Sequence, residues 1–231
     1  PVWDSRWLSN RGSASVEFEE SLKKYLETDN IYLFANGHLA LEVTLNALHM
    51  KGEVITTPFT HCSTIHAIVR NGLKPVFVDI KESDCTINPE FIEAAVTENT
   101  VAIVATHVYG FICDVEAIEK IGHKYGLKVI YDAAHAFGVT YKGVGSANFG
   151  DASMFSTHAT KVFHTIEGGI VAYRNQELFK ELRHLVNFGF TSQDDIEYVG
   201  TNARMNEFEA VMGICNLEHI DGEIAKRKMV W

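Results

Sequence analysis

Short apolar runs alternate with longer amphipathic stretches along most of the chain. The amphipathic stretches repeat apolar residues every three or four positions, which predicts helices over 39–50, 63–71, 89–96, 115–125 and 176–186. The apolar runs between them are rich in β-branched and aromatic residues and predict strands over 31–34, 54–57, 75–79, 101–105, 128–131, 152–156 and 169–173. This alternation of strands and helices predicts an α/β fold.

Several of the predicted strands are apolar throughout, and Val-Ala-Ile-Val-Ala at 101–105 is an example. A strand with this pattern is typically covered by helices on both faces. The sequence therefore predicts right-handed crossovers and a mainly parallel sheet in a three-layer arrangement. The final stretch, 206–231, is predicted as one helix, with no capping signal before the chain stops.

Composition narrows the class of protein. The 231 residues are 46% hydrophobic, which is enough for one large buried core. A net charge of −10 disfavours nucleic acid as a partner, because that binding needs a clustered basic face. The chain has neither a run of about 18 apolar residues nor a basic-then-apolar start, so we expect a cytoplasmic protein without membrane contact. The four cysteines stand singly, and we expect reduced thiols that lie mostly in the core.

Three polar clusters stand at the ends of predicted strands, where the ligands of parallel sheets gather. Taken alone, an Asp after a strand often caps a helix, and a Lys in a loop is usually a solvated charge. The clusters are Gly37-His38 after the first predicted strand, Asp132 and His135 after the fifth, and Ser156 to Lys161 at the end of the sixth.

Together, the residue types of these clusters match the needs of pyridoxal phosphate (PLP). This cofactor requires a lysine for a Schiff base, a carboxylate that keeps the pyridine nitrogen protonated, and donors for its phosphate. Lys161, Asp132 and Ser156 supply these in turn, and the backbone amides of Gly37 and His38 add donors at the start of a helix. PLP is therefore the predicted cofactor. No metal site is predicted, because the histidines do not fall at ligand spacing with a third ligand.

Four separated motifs resemble those of the DegT/DnrJ/EryC1/StrS family of sugar aminotransferases and follow in the same order. The lysine motif is Phe-Ser-Thr-His-Ala-Thr-Lys-Val-Phe-His-Thr-Ile-Glu-Gly-Gly at 155–169. The others are Tyr-Asp-Ala-Ala-His-Ala-Phe-Gly at 131–138, Gly-His-Leu-Ala-Leu at 37–41 and Gly-Thr-Asn-Ala-Arg-Met-Asn-Glu at 200–207. Agreement of four motifs makes the resemblance specific, and it covers residues 7–220.

The resemblance implies an aspartate-aminotransferase-like fold (PLP-dependent fold type I), a homodimer and amino-group transfer in two half-reactions. Lys161 would be the Schiff-base lysine and proton carrier, Asp132 the partner of the pyridine nitrogen, and Ser156 a phosphate ligand. His135 would lie near the ring hydroxyl. Asn202 resembles the residue that reaches the phosphate from the second subunit, so that the dimer completes the site.

Two positions depart from the family's pattern. His38 stands where the family has Thr or Ser, so the phosphate would be held there mainly by backbone amides. His61 stands where the family has an aromatic residue stacked on the cofactor ring, and imidazole offers a smaller surface for stacking.

The resemblance also divides the chain. Residues 1–220 correspond to the large PLP-binding domain with its N-terminal arm, and 221–231 to the start of a connection to a smaller C-terminal domain. Family members continue into that domain, which contributes to substrate binding. We therefore expect that the small domain is missing or truncated in this chain.

The implied function is transfer of an amino group, with L-glutamate as the implied donor, to a nucleotide-linked keto-sugar in deoxyamino-sugar biosynthesis. The pair Thr157-His158 resembles the branch that acts on a 4-keto-6-deoxy sugar. One alternative is a catalytically inactive or regulatory relative, which only the missing length supports. Another is a nicotinamide-dependent oxidoreductase, which requires a glycine fingerprint after the first strand, and the sequence has none there.

Overall fold

A seven-stranded sheet forms the centre of the computed structural model, which describes residues 2–230, and a separate two-stranded hairpin accompanies it. The strands are β1 (Ile31–Phe34), β2 (Glu53–Thr56), β3 (Lys74–Phe77), β4 (Thr100–Thr106), β5 (Lys128–Asp132), β6 (Thr140–Tyr141), β7 (Val144–Gly145), β8 (Ala152–Ser156) and β9 (Gly169–Tyr173). The helices are α1 (Val2–Ser5), α2 (Ser13–Leu26), α3 (Gly37–Ala47), α4 (Cys62–Arg70), α5 (Pro89–Ala94), α6 (Val115–Tyr125), α7 (Glu177–Leu185), α8 (Glu207–Leu217) and α9 (Ile220–Val230).

The large sheet has the strand order β1-β9-β8-β5-β4-β2-β3. Within it, β9 runs against all the others, because it pairs antiparallel with both β1 and β8. The remaining neighbours pair in parallel. The carboxyl ends of six strands therefore lie along one edge of the sheet, and the polar residues that follow those strands meet there.

Helices cover both faces of the sheet, and alternate side chains of the central strands point to opposite layers. Ala102 and Val104 of β4 join a cluster with α3, α4 and α7. Ile103 and Ala105 join a cluster with α5 and α6. A third cluster joins α2 and α8 to β1 and β9. The predicted three-layer, mainly parallel α/β architecture is confirmed, and burial on both faces explains the continuous apolar run.

All seven predicted strands and five predicted helices exist, with bounds that shift by at most three residues. Neither α1 nor α2 is predicted from the sequence. In α2, the nearly fully buried side chains of Phe18, Leu22 and Leu26 recur at helical spacing, so periodicity was sufficient to find this helix.

The prediction of one helix over 206–231 is wrong. α8 ends at Leu217 and α9 begins at Ile220, and Trp231 lies outside the described residues. The turn between the helices directs Ile220 into the core, where it is 2% exposed, and Tyr25 donates a hydrogen bond of 2.9 Å to Asp221. Packing against α2 sets this break, and no Gly or Pro marks it in the sequence.

The four cysteines are free thiols, but the expectation that most of them lie in the core is wrong. Cys113 is buried and Cys85 is partly exposed, whereas Cys62 and Cys215 are exposed. The two exposed thiols lie on α4 and α8, on faces that the core does not cover.

A buried carboxylate links the N-terminal segment to the rest of the domain through hydrogen bonds. Glu207, the first residue of α8, is 1% exposed. It accepts hydrogen bonds at the start of α2 from Gly12 N (3.0 Å), Ala14 N (2.8 Å), Ser15 N (3.3 Å) and the Ser15 hydroxyl. Amides at a helix start have no acceptor in a preceding turn, so Glu207 acts as a cap that is distant in sequence.

No helix within residues 2–230 is both long and apolar enough to cross a membrane. In the same part of the chain, no group of three or more His, Cys, Asp or Glu side chains is arranged to hold a metal ion.

We expect Glu207→Ala to lower the free energy of unfolding by about 3 kcal/mol, because buried amides lose a charged acceptor. Urea unfolding followed by circular dichroism measures this loss. Glu17→Ala, on the exposed face of α2, is the matched control and should stay within about 0.5 kcal/mol of the parent. Equal stabilities of the two variants would contradict the capping role.

Candidate active site

A cavity of about 870 Å³ opens at the sheet edge where the parallel strands end. Segments that follow β1, β2, β4, β5 and β8 line it. Seven of the eight predicted site residues lie on its wall, and they are Gly37, His38, His61, Asp132, His135, Ser156 and Lys161. The eighth, Asn202, is not among the lining residues.

Asp132 ends β5 and places a buried carboxylate on the cavity wall, where the residue is 4% exposed. Its Oδ2 accepts a hydrogen bond of 2.6 Å from Thr64 Oγ1, and its Oδ1 accepts one of 3.1 Å from Ala134 N. A carboxylate has about four acceptor positions, so these two bonds leave it able to accept from a ligand.

The start of α3 and the end of β8 form a site for an anion. The Asn36 side chain caps α3 by accepting from Leu39 N at 2.8 Å, and the amides of Gly37 and His38 are the first of the helix. A Cβ on Gly37 would lie 2.9 Å from Ser156 Cβ, so the two segments are in direct contact there. Backbone N–H groups of a helix start beside a hydroxyl are typical of phosphate sites.

Lys161 lies in the connection between β8 and β9 and reaches the cavity wall. Its backbone N–H donates to His158 O at 2.9 Å, which fixes the turn that carries it. Among residues 2–230, its ammonium has no hydrogen-bond or ion-pair partner. A lysine without a partner at a cavity that also holds a buried carboxylate is available for covalent chemistry.

The charge state of His135 follows from its surroundings. Burial lowers the pKa of its imidazole, the Lys161 ammonium and His61 lower it further, and the Asp132 carboxylate opposes them. Nδ1 accepts a hydrogen bond of 3.1 Å from Tyr109 N. A neutral imidazole that accepts at Nδ1 carries its proton on Nε2, so His135 can donate a hydrogen bond at Nε2.

The model of the DegT/DnrJ/EryC1/StrS aminotransferase family matches residues 1–231. The chain belongs to this family. It is 44% identical over 220 residues to a dTDP-4-amino-4,6-dideoxy-D-glucose transaminase from Shigella dysenteriae. The matched region covers 95% of this chain and 60% of that relative. A transaminase of the same description from Escherichia coli is 41% identical, over 99% of the chain and 62% of that relative. The chain thus spans about three fifths of the length of these curated relatives.

Solved structures support the same family fold. DesI, crystallised in the presence of its TDP-sugar product, superposes with a TM-score of 0.90 at 36% identity, over 96% of this chain and 56% of that one. The PLP form of a putative sugar aminotransferase, Spr1654 from Streptococcus pneumoniae, gives a TM-score of 0.89 at 27% identity, over 96% and 62% of the two chains. The prediction of a PLP-dependent, aspartate-aminotransferase-like fold is confirmed.

The two departures from the family pattern have structural consequences. His38 Nδ1 lies 2.8 Å from Ser63 Oγ, and its Nε2 lies 3.0 Å from Glu42 Oε2. Both ring nitrogens are therefore engaged by side chains, and this position offers the cavity chiefly its backbone N–H. His61 is the N-cap of α4, where Nδ1 accepts from Ser63 N at 3.2 Å. This bond orients the imidazole at the cavity wall, and stacking on a cofactor ring stays a prediction.

Asn202 lies outside the cavity. Its Oδ1 accepts hydrogen bonds from Arg204 Nε at 3.2 Å and from Arg204 Nη2 at 3.1 Å. The subunit therefore does not bring it to the α3 start, and its role toward a second subunit stays a prediction.

Four residues near Asp132 and His135 were not predicted from the sequence. Thr106 directly follows the apolar run 101–105, so the strand-end rule that found Asp132 applied to it as well. The other three carry no comparable signal in the sequence. In the structure, Tyr109 adopts a left-handed backbone with φ 53°, which is rare outside glycine. The four are Thr60, Thr64, Thr106 and Tyr109.

The residues present fit PLP. A buried carboxylate with spare acceptor capacity, a lysine without a partner, and helix-start amides beside a hydroxyl share one cavity. Asp132, Lys161 and Ser156 are the side chains that supply these features. The fit rests on this donor and acceptor set, and His135, whose Nδ1 accepts from Tyr109 N, can add a donor at Nε2.

We expect the pKa of His135 to lie below that of an exposed histidine and to rise in Lys161→Ala, because the variant loses an ammonium that disfavours the imidazolium. NMR titration of ¹⁵N-labelled histidine side chains without added PLP measures both values. Lys120→Ala, on the exposed face of α6, should leave the titration unchanged. A His135 pKa that does not move in Lys161→Ala would contradict the contribution of the Lys161 ammonium and leave burial and His61 as the groups that lower it.

Proposed function

We propose that this protein is a PLP-dependent aminotransferase that transfers an amino group from L-glutamate to a nucleotide-linked 4-keto-6-deoxy sugar. The observation that carries this proposal is the Lys161 ammonium, which faces the same cavity as the buried Asp132 carboxylate and has no partner among residues 2–230. A lysine and a buried carboxylate with spare acceptor positions on one cavity are two of the groups that PLP requires.

When bound, PLP supplies an electron sink for the negative charge that develops at the reacting carbon. Lys161 would hold the cofactor covalently and then carry the proton between substrate and cofactor carbons as a general base and acid. Asp132 would accept a hydrogen bond from the protonated pyridine nitrogen and keep the proton there. The Nε2–H of His135 would donate to the ring oxygen.

The phosphate of the cofactor would lie at the start of α3. The amides of Gly37 and His38 point to this place, and Ser156 contributes its hydroxyl from the end of β8. The partial positive charge of a helix start favours a dianion there even though the chain as a whole is acidic. His61 would stack on the ring from the wall formed by the start of α4.

The proposed substrate rests on the curated relatives. Two are dTDP-4-amino-4,6-dideoxy-D-glucose transaminases, at 44% and 41% identity. A GDP-perosamine synthase from Caulobacter vibrioides is 32% identical, which supports a nucleotide-linked sugar in general. We therefore propose a dTDP-linked 4-keto-6-deoxyhexose. His158 lies on the cavity wall, whereas Thr157 is fully buried and bonds to Thr165, so of this pair His158 is the one that would contact the sugar.

A homodimer with shared sites is part of the proposal. Asn202 would reach the phosphate bound by the second subunit. The segment that precedes it exposes large apolar side chains, with Ile196 at 61% and Val199 at 96% exposure, as is typical of a surface that an interface covers. A cytoplasmic location remains a prediction.

The alternative is an inactive or regulatory relative that keeps the fold. Such a relative lacks turnover whether or not it binds PLP, so the two hypotheses differ in the response of the bound cofactor to glutamate.

We expect the full-length protein to form the visible absorbance band of lysine-bound PLP and to lose that band when L-glutamate is added. Lys161→Ala should not form the band, since no other lysine lines the cavity within residues 2–230. Absorbance spectra with and without glutamate measure both effects, and Lys120→Ala is the control. A band that glutamate leaves unchanged favours the inactive relative, and absence of the band in the parent contradicts the proposal.

The shared site can be tested by mixing two inactive variants, Lys161→Ala and Asn202→Ala, and allowing their subunits to exchange. If the two residues of one site come from different subunits, each mixed dimer regains one intact site, and the mixture should reach about a quarter of the parent activity. Formation of the 4-amino sugar nucleotide, followed by chromatography, measures this recovery. No recovery after proven subunit exchange would place both residues of a site in the same subunit.

A further inference from the structure

Three threonine hydroxyls form a chain that ends on Asp132. Thr64, from α4, lies 2.6 Å from Asp132 Oδ2 and is fully buried. Thr60 Oγ1 lies 3.0 Å from Thr64 Oγ1 and 2.8 Å from Thr106 Oγ1 at the end of β4. The chain therefore connects the segment that follows β2 with the last residues of β4 and β5.

The carboxylate determines the direction of every hydrogen bond in this chain. An ionised Asp132 can only accept, so Thr64 must donate its single hydroxyl proton to it. Thr64 then accepts from Thr60, and Thr60 accepts from Thr106. All three hydroxyl dipoles thus point toward Asp132, and hydrogen bonds aligned in this way strengthen one another.

We infer that Thr64 is a positioning residue for the cofactor: through its hydrogen bond it holds the Asp132 carboxylate in the orientation that accepts from the pyridine nitrogen of PLP. Thr60 and Thr106 support it by directing the Thr64 proton to the carboxylate. This inference rests on the proposed function, because it assigns Thr64 a role toward the cofactor of that same site.

The two hydrogen bonds to the Asp132 carboxylate explain why residue 64 needs a hydroxyl group. Ala134 N holds Oδ1 and Thr64 Oγ1 holds Oδ2, so the plane of the carboxylate is fixed from two sides. A valine at 64 would fill the same space but leave Oδ2 without its donor. The carboxylate would then be free to rotate, and its charge would be less well stabilised in the buried site.

Thr56, at the end of β2, offers a matched control. It is also fully buried, but its hydroxyl has no hydrogen-bond partner among residues 2–230. Thr56→Val therefore makes the same chemical change close by without touching Asp132. Thr64→Ser restores the hydroxyl and tests whether that group, and not the methyl group, carries the effect.

The experiment measures the dissociation constant of PLP for the full-length variants by absorbance titration, together with the visible circular dichroism of the bound cofactor. We expect Thr64→Val to weaken binding about tenfold or more and to reduce the dichroism, since it removes a hydrogen bond to a charged group. Thr64→Ser should stay within about threefold of the parent and Thr56→Val should match it. Thr60→Val, one link further from the carboxylate, should show a smaller loss than Thr64→Val.

A double-mutant cycle separates positioning from a general packing defect. In an Asp132→Ala background, Thr64→Val should change the dissociation constant by less than about twofold, because the group through which Thr64 acts is gone. An unchanged tenfold loss in that background, or equal binding by Thr64→Val and Thr56→Val, overturns this inference while the proposed function stands. A parent that forms no lysine-bound PLP overturns both.

Discussion

The site depends on a close backbone contact between the turn after β1 and the β8–β9 region. A Cβ on Gly169 would lie 2.5 Å from Asn36 O and 2.9 Å from Gly37 N, and a Cβ on Gly37 would lie 2.9 Å from Ser156 Cβ. Glycine at 37 and 169 thus allows the start of α3 to touch the end of β8. Because of this contact, helix-start amides and a hydroxyl face the same small volume, which is what a phosphate requires.

The reversed direction of β9 complements this contact. Because β9 is antiparallel to β8, it begins at the edge of the sheet where β8 ends. The connection of residues 157–168 therefore stays beside the cavity. This connection carries Lys161, while the parallel neighbour β5 ends in Asp132. The sheet topology therefore brings a lysine and a carboxylate together, although they lie on different elements.

The imidazoles of His38 and His61 make structural contacts around the cavity. His38 binds Glu42, whose Oε2 also accepts from Arg70 Nε at 2.8 Å, and it contacts Ser63 as well. These contacts tie α3 to α4. His61 caps α4, so the helix start that borders the cavity is held by a side chain on the cavity wall. The departures from the family pattern thus stabilise the arrangement of two helix starts, and the phosphate site relies on backbone groups.

The sequence by itself determined the seven strands, five of the helices, and the strand-end positions of Asp132 and Ser156, because periodicity and strand ends are properties of short segments. Only the tertiary structure decided the break before Ile220 and the capping of α2 by Glu207. It also decided the lowered pKa of His135 and the hydrogen bond from Thr64 to Asp132. These features join residues that are far apart in the chain, and Thr64 and Asp132 are separated by 68 positions. Local sequence patterns therefore do not predict them. They exist because the folded sheet and its helices bring distant groups within hydrogen-bond distance.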